Sequence, residues 1–285
     1  MTRRRAAPGR LGWAVALAAL VLGCGGPVES VEPVVTEAPP TPPVTPAGDR
    51  VELVVFGAAS LRDVLAAAKA VYEADHPEVT LSVAADSSAA LRTQIEQGAL
   101  ADVFLSADIT NAQQLADAGL TRGPPVEFAS NALALVVPSA NPARIEGPAD
   151  LARPGVKIVA AGEDVPITAY ASIVVASLAA LPGYPSGFAA AYLANVVSHE
   201  ANVRAVLTKV ELGEADAGFV YVTDAVSSSD VRVIPLPADN NVTAGYAGVV
   251  PLDAVHPDEA SRFLAWIAGP DGQAVLARFG FGPRT

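Results

Sequence analysis

From Val51 onward, apolar and polar positions alternate between a strand rhythm and a helix rhythm. Val51–Phe56 is a short apolar run that predicts a strand, and Gly57-Ala58-Ala59 a turn. Ser60-Leu61-Arg62-Asp63 has the form of a capping box, with Asp63 in place of the usual Glu. Leu61, Val64, Leu65, Ala68, Val71 and Tyr72 then recur at helical spacing until His76-Pro77 stops the helix. A strand follows at Val79–Ala84, a helix marked by Leu91 and Ile95 and ended by Gly98, and a third strand at Val103–Leu105. Leu133–Pro138 and Val156–Ala160 predict further strands. Helices are expected from Pro166 to Leu181 and from Val203 to Leu212, separated by Gly183, Pro185 and Gly187. Gly218–Val222, Val231–Ile234 and Ala247–Val250 read as strands, Ala260–Ile267 and Gln273–Phe279 as helices. Strand and helix alternate, so the expected class is α/β, with mainly parallel sheets flanked by helices.

The first 49 residues follow neither rhythm. Arg3, Arg4 and Arg5 precede an apolar run, Leu11–Leu22, too short for a comfortable membrane span and laid out like a secretory signal. Residues 1–23 are therefore expected to be a signal peptide. Val21-Leu22-Gly23-Cys24 resembles a bacterial lipobox, in which Cys24 would be acylated; the alternative is a free cysteine in an ordinary cleaved signal. Cys24 is the one cysteine of the chain, which rules out an internal disulfide or a thiolate metal cluster. Seven prolines and three glutamates between residues 25 and 49 describe a semi-extended tether.

Removing the leader takes away four arginines and no acid, leaving 14 basic against 30 acidic residues. Nucleic acid is a poor partner for such a surface, because phosphate contacts need clustered Lys and Arg. An anion site would have to work at short range.

Enzymatic signatures are scarce. The chain has no nucleophile elbow, P-loop or dinucleotide fingerprint. His76, His199 and His256 lack ligand-like spacing and are expected on the surface, with no metal held directly by protein groups. Asp102 and Asp108 could form an acid–base pair, but a structural brace is the preferred reading of Asp102. A different pattern recurs where strands pass into helices. Ser60, and Ser87 with Ser88, follow strands and open helices. Pro166 suits a first helical position and leaves the Ile167 amide free, and Asn202 is a good N-cap that leaves the Val203 amide free. Helix N-termini attract anions, and several converging on one point would need no cation.

Several segments resemble, in the same order, the molybdate-binding proteins of ABC importers. They are Phe56–Leu61, Ser87–Gly98, Ala101–Asp108, Val165-Pro166 with Tyr170-Ala171, Val203-Arg204, Gly218–Tyr221 with Asp224-Ala225, and Phe279–Phe281. The resemblance implies a two-domain type II periplasmic binding fold with a ligand cleft between the domains. On that template residues 50–131 plus 242–285 form domain I and residues 132–241 domain II. It places Ser60 and Ser88 on the family's two serines, Ile167 and Val203 on its two amides and Tyr221 on its tyrosine. It implies capture of molybdate or tungstate by a monomer, delivery to an ABC permease and its ATPase, and neither enzymatic activity nor a cofactor; the lipobox at Cys24 adds the expectation of membrane attachment through a lipid anchor.

Two departures stand out. Ile167-Thr168 replaces a small residue and glycine, and Asp86 sits two residues before Ser88. The rivals are a binding protein of the same fold for sulfate or another small anion, and a secreted hydrolase with Ser60 or Ser88 as nucleophile. Arg62 or Arg92 near the serines would favour a carboxylate ligand. Sensing at the cell surface is a further reading.

Overall fold

The computed structural model describes residues 50–284; the predicted signal peptide, Cys24 and most of the tether fall outside them. Nine strands and nine α-helices follow one another in this part of the chain. They are β1 (Val51–Ala58), α1 (Arg62–Asp75), β2 (Val79–Asp86), α2 (Ser88–Glu96), β3 (Val103–Ser106), α3 (Ile109–Asp117), β4 (Val126–Pro138), β5 (Ile158–Ala161) and α4 (Pro166–Ala179). Next come α5 (Phe188–Ala194), β6 (Val196–Glu200), α6 (Val203–Glu211), β7 (Ala217–Tyr221), α7 (Val222–Val226), β8 (Val231–Ile234), β9 (Thr243–Val249), α8 (Pro257–Ala268) and α9 (Pro270–Arg278).

The strands are linked in the order β2-β1-β3-β9-β4-β7-β5-β6, with β8 also pairing β4. Each outer part is parallel, as expected: β1 with β2 and β3, and β5 with β6 and β7. The middle is antiparallel, because β4 and β9 carry the chain back between the two halves. β4 joins them physically. Its first part, to Ala132, pairs β9, and from Leu133 it pairs β7 and, from Leu135, β8. Only this second part is apolar enough to read as a strand. Glu127, Ser130 and Asn131 break the pattern of the first, and its β pairing comes from β9.

β3 and β7 are buried along their whole length, as expected of strands covered on both faces. Two glycines let helices lie close on such strands. A Cβ at Gly57, in β1 rather than in the expected turn, would collide with Leu65 Cδ1 of α1. One at Gly218 in β7 would stand 2.9 Å from Val206 Cγ1 of α6 and 3.1 Å from the Val159 carbonyl. These approaches help fix where α1 and α6 begin.

The capping box expected at Ser60 does not form. Ala59–Leu61 is a 3-10 turn ahead of α1 without a side-chain cap, and the Ser60 hydroxyl is engaged elsewhere.

Candidate functional site

Three α-helix N-termini and one 3-10 turn meet at a single cavity. It is small, about 10 Å³, and is lined by Ala58, Ala59, Ser60, Ser87, Ser88, Ala107, Val165, Pro166, Ile167, Asn202, Val203 and Tyr221. All five residues singled out in the sequence, from segments far apart in the chain, are among these. So small a space excludes drug-sized ligands, whose pockets run to roughly 300–1,000 Å³. None of the lining residues is charged at neutral pH.

Each donor is held by its local structure. Ser87 caps α2 by accepting the Ala90 N–H at 3.2 Å, and Ser88 is the first helical residue. The Ala107 N–H donates to Ser88 Oγ at 2.9 Å, which leaves the serine proton to point elsewhere. Pro166 occupies the first position of α4 and Ile167 the second. Asn202 caps α6, accepting the Ala205 N–H at 3.1 Å, and Val203 follows as the first helical residue. Amides at these positions lack intrahelical partners and stand at the positive end of the helix dipole.

Ser60 is tied to residues that the sequence pattern did not single out. Its Oγ lies 2.9 Å from Tyr246 Oη, and the Asn131 side-chain N–H donates to the same tyrosine oxygen at 3.4 Å. Either hydroxyl can donate in the Ser60–Tyr246 pair, and when Tyr246 donates the Ser60 proton is free. Ser60 and Tyr246 are 186 positions apart, so no local signal could have joined them.

Tyr221 ends β7. Its hydroxyl is buried and has no hydrogen-bond partner among the described residues, an unusual condition in a folded protein. Burial, then the neighbouring Tyr246, pushes its ionisation well above the ordinary phenol range, so it stays a neutral donor. Tyr246 is raised by burial in the same way, and Tyr170, four residues beyond Pro166, is raised to about 12, chiefly by burial.

The two departures have structural explanations. Thr168 turns away from the cavity, donating to the Gly162 carbonyl at 2.7 Å and the Ala161 carbonyl at 3.1 Å, and so anchors the start of α4 to the end of β5. Asp86 is not a lining residue. Its Oδ1 accepts the Ser87 N–H at 2.8 Å and the Asn202 side-chain N–H at 2.9 Å.

Catalytic alternatives find little support in the geometry. Neither serine is hydrogen-bonded to a histidine. His76 stacks on Tyr72, and His199 lines a separate, largely apolar depression behind α4. Asp102 braces two backbone amides, those of Val54 and His256, at 2.9 and 2.8 Å. Asp108 caps α3 through the Asn111 N–H. Arg92 is engaged with Asn111 and Glu96, and neither it nor Arg62 lines the cavity.

Comparison with known proteins agrees with this architecture. The chain is 34% identical over 247 residues to the molybdate-binding protein ModA of Mycobacterium tuberculosis (strain ATCC 25618 / H37Rv), covering 86% of this chain and 90% of that one. Among solved structures, the periplasmic molybdate-binding protein of Azotobacter vinelandii superposes with a TM-score of 0.68 at 22% identity, covering 82% of this chain and all of that one. The sulfate-binding protein SubI of Mycobacterium tuberculosis H37Rv superposes with a TM-score of 0.71 at 16% identity, covering 82% and 87%. The fold is thus the mixed α/β fold of the type II periplasmic binding proteins. The model of the bacterial extracellular solute-binding proteins matches residues 53–282, and the chain belongs to that family.

Proposed function

We propose that this protein captures molybdate or tungstate outside the cytoplasm and delivers it to an ABC permease and its ATPase. The observation that carries the reading is the Tyr221 hydroxyl, buried without a partner at a small cavity lined by neutral donors. An oxyanion would supply the missing acceptor. Ser60, Ser88, the amides of Ile167 and Val203, and Tyr221 are the five donors in this reading. Residues 50–131 with 242–285 form one domain and residues 132–241 the other, the change of β4 partner near Leu133 supporting that division. The protein acts as a monomer, with residues 1–23 removed and Cys24 lipidated to hold it at the membrane.

The donor set explains how charge is handled. Hydrogen bonds to an ionised acceptor are stronger than neutral ones, and more so where water is excluded. A protonated anion such as hydrogen phosphate would bring a proton needing an acceptor, which this ring of donors does not offer. Sulfate presents the same fully deprotonated oxygens and is separated from molybdate by size. No bond is made or broken.

The test is calorimetric titration of the purified protein with molybdate, tungstate, sulfate and phosphate. Molybdate and tungstate should bind far more tightly than the other two; sulfate binding as tightly as molybdate would overturn the cargo assignment. Tyr221→Phe should weaken molybdate about 10- to 100-fold, as expected for one hydrogen bond to a charged group. It should leave the melting temperature of the ligand-free protein unchanged or higher, because the lost hydroxyl had no partner.

A further inference from the structure

Val203 is flanked by two residues that reach across to the opposite half of the sheet. On one side, Asn202 uses both ends of its side chain. Its oxygen caps α6, and its N–H donates to Asp86 at the end of β2. On the other side, Arg204 Nη2 donates to Asp63 of α1 at 2.6 Å, three residues after Ser60. The same guanidinium places Nε 2.8 Å from Oδ1 of the fully buried Asp224, an ion pair whose N–H is not aimed along the hydrogen-bond line. Asp224 Oδ2 in turn accepts the Tyr221 N–H at 3.2 Å. One arginine thus joins the start of α6, the turn after Tyr221 and the helix that follows Ser60.

We propose that Asn202 and Arg204 form a clasp that draws the start of α6 onto Asp86 and Asp63, and that this contact positions the Val203 amide for the ligand. The proposal rests on the oxyanion reading above and assigns roles to residues outside the donor set. Asp86, a carboxylate beside an anion site, acts here as the acceptor that the second half closes upon. Neither arm is strong. The Asn202 bond to the Asp86 carboxylate is only part-buried and the Arg204–Asp63 pair is partly exposed, so solvent weakens both and each shifts an equilibrium by roughly up to tenfold. A clasp of that strength slows opening around a bound anion without shutting an empty cleft. Because it does not hold the empty cleft shut, it bears on release more than on capture.

The experiment compares wild type with Asp63→Ala, Asp86→Ala and Asp86→Asn. Molybdate association and dissociation are followed by stopped flow, and hydrogen exchange of the α6 first turn is measured without ligand. Each alanine variant should release molybdate about three- to tenfold faster, with the association rate within about twofold of wild type. Asp86→Asn keeps an acceptor for Asn202 and should restore slow release. Unchanged release in both alanine variants, or an Asp86→Asn variant no slower than Asp86→Ala, would overturn the clasp. The exchange arm separates the two ideas. A wild type that ignores molybdate sinks the oxyanion reading, while the clasp then stands on faster α6 exchange in both alanine variants and falls if exchange is unchanged.

Discussion

At the scale of single residues, the chemistry rests on neutral groups, and one buried acid stands out from them. Asp224 is pushed up to about 6, burial outweighing the attraction of Arg204. In the unfolded chain an aspartate ionises near pH 3.9. Between those values the folded protein binds the extra proton, so this contribution to stability is full below about pH 4 and is lost as pH rises through about 6. A shift of about two units corresponds to roughly 3 kcal/mol. Urea unfolding at about pH 4.5 and about pH 7.5 should therefore show Asp224→Asn gaining on wild type by about 2 kcal/mol at the higher pH. Parallel pH trends in the two proteins would locate the effect elsewhere. At this scale much of the proposed donor set was legible in the sequence. Pro166 at a first helical position, the Asn202 cap and Ser87-Ser88 at a helix start are short-range signals, and the structure keeps all three. Ser60 was misread as a cap because Asp63 completes the local pattern, whereas its hydroxyl meets Tyr246 across 186 positions.

At the scale of elements, the long apolar runs were readable and the short or polar segments were not. α3 buries only Ala112 and Leu115 among its apolar residues, and α5, of seven residues, gives too few turns for helical spacing to show. β6 mixes Ser198, His199 and Glu200 with two valines and owes its place to pairing with β5. The seat of α6 on β7 depends on a residue whose role is visible only in three dimensions. Gly218→Ala would drive a methyl against Val206 and the Val159 carbonyl. Overpacking of this kind costs about 1–3 kcal/mol. Adding Val206→Ala removes the nearest obstacle, so the double variant should be more stable than the sum of the two single losses in chemical denaturation. Simple additivity would show that α6 does not press on Gly218.

At the scale of the whole molecule, the alternation of strand and helix gave the class, while the antiparallel middle of the sheet was hidden. Parallel and antiparallel pairing differ in how distant segments return, and β4 and β9 return through contacts made a hundred positions apart. The overall charge was fully legible and has a kinetic meaning. Beyond the leader, acids outnumber bases 30 to 14, so a dianion approaches against repulsion. Raising salt from about 0.01 M to about 0.1 M shortens the screening length from about 30 Å to about 10 Å. Molybdate association should therefore speed up with added sodium chloride, whereas a site guided by cations would slow; stopped-flow rates over that range decide between them.

The cavity at the meeting of α2, α4 and α6 has no cationic lining residue, and this bears on what the membrane partner encounters. Binding a dianion changes the net charge of any carrier by two units, and with no Lys or Arg in this lining the bound charge is left uncompensated within the site. Here the two negative charges of the proposed cargo are added to those of the protein. Filled and vacant carriers then differ in isoelectric point as well as in shape, and a docking surface can sort them by their field before any close contact forms.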